Sequence, residues 1–203
     1  MNVDRKKHWE TVYETKSPDQ VSWTQEIPKT SLAFITSFRL ARSAKIIDIG
    51  GGDSTLVDHL LNEGFENITV LDISERSLEK AKLRLGEKAK NVTWIISDIL
   101  YFEPTETYDV WHDRAAFHFL TEEEEIEKYK SIVAKAVQSY LVIGTFSENG
   151  PLKCSGLEIS QYSEEKLGST FEGHFEKIET VLEDHQTPFG TTQNFLFCSF
   201  KKK

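Results

Sequence analysis

From residue 45 onward, short apolar runs alternate with stretches whose apolar residues recur every three or four positions. Residues 45–49, Lys-Ile-Ile-Asp-Ile, are the first run, and a run of this kind bounded by Gly50 reads as a buried strand. Asp53 or Ser54 then caps a helix that turns Leu56, Val57, Leu60 and Leu61 inward and ends near Gly64. Residues 67–72 are a second strand. Ser74 caps a second helix, with Leu78, Ala81 and Leu85 inward and Gly86 as its stop. Residues 92–97 and 108–112 are the third and fourth strands. Thr121 and Glu124 have the spacing of a capping box for a helix over 122–136, whose inner face carries Ile126, Tyr129, Val133 and Val137. A fifth strand covers 139–146, Ser163 caps a short helix, and two β-rich segments, 174–183 and 193–200, follow. This alternation predicts an α/β fold: a parallel sheet wrapped by helices on both faces, with right-handed crossovers. Ligands of such sheets lie beyond the carboxyl ends of the strands where strand order reverses, so the chemistry is expected at the ends of the first four.

The first 43 residues differ. Trp9, Val12, Tyr13 and Lys16 have helical spacing until Pro18 interrupts it. Val21 to Gln25 show no period. Pro28 suits the first turn of a second helix with Leu32, Ile35 and Phe38 on one face. The chain therefore divides into a helical lead, 1–43, and an α/β region, 44–203. A length of 203 residues accommodates one such domain and too little for two. With 33 acidic against 24 basic side chains the net charge is −9, the wrong sign for a broad nucleic-acid-binding surface. No run of about 18 apolar residues suggests a membrane span. The charged start lacks a signal core, and Cys154 and Cys198 are too few for a disulfide framework or a zinc site. A cytoplasmic setting without membrane, nucleic-acid or metal partner is expected.

The most informative stretch is Ile-Ile-Asp-Ile-Gly-Gly-Gly-Asp-Ser, residues 46–54. A strand runs into three glycines and then a helix, which lets a ligand approach the backbone with no Cβ in the way. The second strand ends at Asp72, where a carboxylate can bind both hydroxyls of a ribose. Together these features point to an adenosine-type cofactor; the plainer alternative is a tight strand-to-helix turn with an acidic flank. A dinucleotide loop would carry Gly-x-Gly-x-x-Gly, but Thr55 stands where the last glycine should be. A phosphate loop would need Gly-Lys-Ser/Thr, which is absent. Asp48 and Asp53 flank the loop with negative charge, which suits a ligand with a cationic amino-acid end.

These residues resemble class I S-adenosylmethionine-dependent methyltransferases. Residues 47–54 look like the first motif of that family, Val-Leu-Asp-Ile-Ser (70–74) like its ribose motif, and Ile-Ser-Asp-Ile (96–99) like its adenine motif. The resemblance implies a Rossmann-like, doubly wound, mostly parallel seven-stranded sheet that ends in an antiparallel hairpin. It implies S-adenosylmethionine as cofactor, held by Trp23, Asp48, Gly50, Gly51, Gly52, Asp72, Ile73, Ser97, Asp98 and Ile99, with Asp98 facing the adenine amine. The stretch Trp-His-Asp-Arg-Ala-Ala-Phe-His-Phe (111–119) follows the fourth strand, where the family places groups near the transferring methyl. Its Asp-Arg-Ala is similar to the Asp-Arg-Gly of thiopurine-type members and the Asp-Lys-Gly of some protein-lysine methyltransferases, with Ala115 in place of the glycine. His8-Trp9-Glu10, Tyr13 and Val21-Ser22-Trp23 resemble the cofactor lid of these groups.

Asp113 and His112 are thus the candidate catalytic residues, able to take a proton from an amine acceptor. Each candidate has a structural alternative: an ion pair for His112 and Asp113, packing for Trp9, Tyr13, Trp23 and His118, core for Cys198. The acceptor is a small molecule or a protein side chain, lysine in particular. The rival functions are a nicotinamide-dependent oxidoreductase and a cofactor-binding module that transfers nothing.

Overall fold

The computed structural model describes residues 4–203. The lead forms α1 (Arg5–Thr15) and α2 (Lys29–Ser37), with a single 3-10 turn between them at Pro18–Gln20. Then follow β1 (Lys45–Ile49), α3 (Leu56–Asn62), β2 (Asn67–Asp72), α4 (Glu75–Leu85), β3 (Val92–Ile96), β4 (Tyr108–Arg114), α5 (Glu123–Ala136) and β5 (Val137–Phe146). A two-stranded flap, β6 (Lys153–Cys154) and β7 (Leu157–Glu158), precedes α6 (Glu164–Phe171), β8 (Phe175–Gln186) and β9 (Thr192–Lys202). The seven-stranded sheet has the order β3-β2-β1-β4-β5-β9-β8. Its first five strands are parallel, and the β8–β9 hairpin joins antiparallel through β5. Strand order reverses between β1 and β4, which are hydrogen-bonded neighbours. Among the described residues no helix is long and apolar enough to cross a membrane.

Local chemistry explains most boundaries. Ser74 Oγ accepts from the Ser77 N–H and caps α4, and Ser163 does the same for α6 through the Lys166 N–H. Thr121 does not cap α5. That helix starts at Glu123 with no side-chain cap, and its first turn carries Glu123, Glu124 and Glu125 against the positive end of the helix dipole. The β6–β7 flap was not legible, because strands of two residues carry no period.

Alternation along each strand sorts the core. Ile46 and Val110 pack with Leu56, Leu60, Leu78 and Ile35 on the face covered by α2, α3 and α4. Ile47, Ile49, Trp111, Leu141 and Ile143 pack with Tyr129, Val133, Leu167 and Phe171 on the face covered by α5 and α6.

The strand β4 runs two residues further than its sequence predicts. Asp113 pairs with Ile49 on one side and Ile143 on the other, and Arg114 pairs with Gly144. The polar run His-Asp-Arg reads as a turn only when the neighbouring strands are not in view. Asp113 is therefore not beyond the strand but within it, and alternation turns it toward α5, fully buried. Its Oδ1 accepts from the backbone N–H groups of Ala116 and Phe117, each at 3.0 Å, and its Oδ2 accepts from the Tyr129 hydroxyl at 2.6 Å. That hydroxyl accepts in turn from Trp111 Nε1 at 3.0 Å. Burial raises the Asp113 carboxyl to about 6 against the opposing pull of these donors. The carboxylate thus holds the turn in which Ala115 adopts φ 66°, a conformation that favours glycine.

Replacing Tyr129 by Phe removes the donor to Asp113 Oδ2 and the acceptor of Trp111. The expected loss is about 1–3 kcal/mol, the scale for a buried polar group left unpaired. Urea unfolding checks it, and unchanged midpoint and slope would contradict the structural role.

Candidate active site

Beyond the carboxyl ends of β1, β2 and β4 lies a cavity of about 870 Å³, roofed by α1 and by the segment that leads into α2. Its floor is the turn after β1. Gly50 has φ 63°, and a Cβ there would sit 2.7 Å from the Cβ of Ala116. A Cβ on Gly51 would meet Asp48 Oδ2 and Val70, both at 2.7 Å. Gly52 does not line the cavity; a Cβ there would strike Asp72 Oδ2 at 2.8 Å and the Tyr13 hydroxyl at 2.9 Å. Its smallness lets the loop settle between those two groups.

Two buried carboxylates stand at the floor. Asp48 ends the polar side of β1, and its Oδ1 is 2.7 Å from His112 Nδ1. The other His112 nitrogen, Nε2, is 2.8 Å from the hydroxyl of Ser31 in α2. Asp48 Oδ2 is buried and has no partner in the protein. Asp72 accepts from the Ser74 N–H at 2.8 Å. Burial pushes its carboxyl up to about 7, although hydrogen bonds from Ser74 and Ser77 favour the charged form. The third acidic residue expected here, Asp53, differs. Arg84 pairs with it, so it adds little free negative charge to the loop.

The end of β3 continues the wall. Ser97 N–H bonds to the Asp72 carbonyl at 3.0 Å, and Asp98 Oδ1 accepts from the Leu100 N–H at 2.9 Å. Ile73, Ser97, Asp98 and Ile99 all line the cavity. The roof is aromatic: Trp9 lies edge-on to Trp23 at 5.6 Å and to Phe119 at 5.2 Å, and Tyr13 to Trp23 at 6.3 Å between ring centres. The lead is pinned where Thr55 Oγ1 donates to the Gln25 and Glu26 carbonyls, both at 3.1 Å.

Of the residues singled out by sequence, Trp23, Asp48, Gly50, Gly51, Asp72, Ile73, Ser97, Asp98, Ile99 and His112 share this one cavity. Gly52 and Asp113 do not reach it. His112 does, but both ring nitrogens are already engaged. His118 is packed in the core against Phe119 and Phe146, and burial lowers it to about 3. Sequence reading missed Ser31, Arg114 and Cys154, which also line the cavity. Ser31 carried a signal, since it occupies the inward stripe of α2 with Phe34 and Ile35. Arg114 was hidden by the misplaced end of β4. Cys154 lies in the β6–β7 flap, and burial pushes its thiol up to about 12, which leaves it protonated.

Comparison with known proteins agrees with this geometry. Residues 46–138 match a family described as a methyltransferase domain. The mouse eEF1A lysine and N-terminal methyltransferase is 26% identical over 121 residues, 59% of this chain and 17% of that protein. The malonyl-[acyl-carrier protein] O-methyltransferase of Anoxybacillus flavithermus is 37% identical over 78 residues, 37% of this chain and 29% of that one. The chain thus spans less than a third of the length of these two relatives. Among solved structures, a SAM-dependent methyltransferase from Anabaena variabilis superposes with a TM-score of 0.76 at 15% identity, covering 100% of this chain and 96% of that one. The N-methyltransferase NodS of Bradyrhizobium japonicum, in complex with S-adenosylhomocysteine, superposes with a TM-score of 0.68 at 16% identity, covering 95% and 97%. Residues 46–138, which build the floor of this cavity, thus match a methyltransferase domain, and the chain as a whole shares the fold of solved S-adenosylmethionine-dependent methyltransferases.

Proposed function

We propose that this chain moves the methyl group of S-adenosylmethionine onto a small-molecule nucleophile. The observation that carries the reading is the gathering of the glycine loop, Asp48, Asp72 and the aromatic lead around one cavity of about 870 Å³. On one side it has buried carboxylates with acceptor capacity to spare, and above it an aromatic roof. The residues fit the cofactor. Asp72 has the position and the carboxylate for the ribose hydroxyls, the unpartnered Oδ2 of Asp48 suits the amino group of the methionine end, and Ile73 and Ile99 suit the adenine ring. Asp98 would take the adenine amine, and Gly50 and Gly51 allow close approach of the chain. Trp23 would close the site from above.

The cofactor supplies an electrophilic methyl on a sulfonium, and the protein's part is alignment and removal of water. The lead, residues 1–43, acts as the lid: the ring faces of Trp9, Tyr13 and Trp23 attract positive charge and keep solvent out. Asp113 holds the floor turn and touches no substrate. His112 is a positioning residue, tying β1, β4 and α2 together through Asp48 and Ser31. With Asp48 and Asp72 given to the cofactor and both nitrogens of His112 engaged, the acceptor arrives already deprotonated or loses its proton to solvent.

A protein lysine is the second reading, favoured by the likeness to two mouse eEF1A lysine methyltransferases, the second 23% identical over 155 residues. Incubating the enzyme with methyl-labelled cofactor and a cell extract separates the two. Label is expected in the low-molecular-mass fraction; label confined to protein would favour lysine.

Calorimetry is expected to show binding of S-adenosylhomocysteine and none of NAD at equal concentration. Asp72→Ala is expected to weaken that binding by about 1–3 kcal/mol, the scale for unpaired buried polar groups. The binding also carries a pH signature. In the free protein Asp72 is protonated below about 7. Ribose hydroxyls donate to the ionised form, so affinity is expected to fall as pH drops from 8 to 6, by about tenfold per unit once below 7, the limit for one linked proton. Asp72→Asn should flatten the profile, and a wild-type affinity independent of pH would contradict the assignment.

If the lead closes on the cofactor, S-adenosylhomocysteine is expected to change tryptophan fluorescence and to slow proteolysis within residues 8–25. Identical cleavage with and without saturating ligand would make the lead a permanent part of the core.

A further inference from the structure

Among the described residues Arg114 makes no salt bridge. It is the last residue of β4, on the same face as His112, and lines the cavity. Its Nη1 donates to the Trp23 carbonyl at 2.9 Å, and its guanidinium lies 4.7 Å from the centre of the Phe195 ring. Its Nε and Nη2 are buried and have no partner. Among the described residues no carboxylate forms an ion pair with it. Glu183 contributes at a distance, but its two oxygens are taken by Gln25 and Thr30. Burial lowers Arg114 to about 10, so it remains charged at neutral pH.

A buried cation with two idle N–H groups is costly unless something completes it. The two idle nitrogens are specific in kind. Nε and Nη2 form one edge of the guanidinium, and that edge presents two parallel N–H groups matched to the two oxygens of a carboxylate. The anchored Nη1 fixes the plane of the fork. Cys154, protonated, adds no negative charge. The cofactor's binding groups, Asp48 and Asp72, are carboxylates and call for hydroxyls and an ammonium. Of the other basic residues that line the cavity, Arg5 and Arg84 are ion-paired and Lys16 and Lys80 are more exposed, which leaves Arg114 as the cation with a buried free edge.

Resting on the methyl-transfer reading above, we propose that Arg114 is the acceptor-recognition residue and that the acceptor carries a carboxylate, held side-on by Nε and Nη2. The sulfonium of the bound cofactor adds a second positive charge to the cavity, so an anionic acceptor is favoured twice over, and a lysine ammonium is opposed. Because the free edge is sealed from water while Trp23 bonds to Nη1, the acceptor enters with the lead displaced, and the same guanidinium then joins lid and acceptor.

The test uses the full chain saturated with S-adenosylhomocysteine, titrated by calorimetry with acetate and benzoate and with their neutral amides, acetamide and benzamide. At least one acid is expected to bind tenfold or more tightly than its amide. Arg114→Gln should bring that ratio close to one while leaving S-adenosylhomocysteine affinity within about threefold. Arg114→Lys, which keeps the charge and loses the fork, should fall between the two and guards against a folding defect in the glutamine variant. Acids that bind no better than amides, or a ratio unaltered in both variants, would overturn the proposal. A loss of S-adenosylhomocysteine affinity above tenfold in Arg114→Gln would also overturn it, by assigning the guanidinium to the carboxylate of the cofactor. Failure of the wild-type protein to bind S-adenosylhomocysteine would instead overturn the reading on which the proposal rests.

Discussion

Period-two alternation along β4 is the constraint on which the site depends. His112 and Asp113 are paired with β1 on one side and β5 on the other, and Arg114, next along, is paired with Gly144 of β5. A strand so held cannot rotate one side chain without its neighbours. His112 and Arg114 therefore share the face that carries the cavity, and Asp113 faces α5. The acid that looks most like a base in the sequence is the one the sheet sends into the core. There it makes three hydrogen bonds that shape the turn touching Gly50.

The opposite face is fixed by the chain Asp48–His112–Ser31. It joins β1, β4 and α2 at the point where strand order reverses, so the floor of the cavity and the helical lead are positioned by one set of buried polar contacts. Asp48 satisfies His112 with one oxygen and keeps the other free. The same economy holds for Arg114, which spends Nη1 on the lead and keeps an edge in reserve. Buried groups used on one side only are where ligands have most to offer, because each completed hydrogen bond removes a desolvation cost.

Much of this was legible in the sequence because local signals agreed with tertiary ones. The apolar runs of β1 and β2 are bounded by glycine and by capping residues, and Ser74 caps its helix where expected. The glycine loop and Asp72 needed only a strand before and a helix after to be placed at one cavity. What was not legible depended on partners distant in sequence. The end of β4 is set by Ile49, Ile143 and Gly144 rather than by its own polar residues. The loss of Asp53 as a free charge comes from Arg84, on another helix. The isolation of Arg114 is visible only once the carboxylates that act on it from a distance, Glu183 and Asp48, are seen to be bonded to Gln25, Thr30 and His112 rather than to its guanidinium.

A crystal structure of the S-adenosylhomocysteine complex tests the account most directly. It is predicted to show the ribose hydroxyls on the Asp72 carboxylate, the amino group on Asp48 Oδ2, and the sulfur opening toward the side of the cavity lined by Arg114, with Asp113 still bonded to Tyr129. A ribose bound away from Asp72, or an Asp113 turned out of the core to meet the ligand, would contradict it.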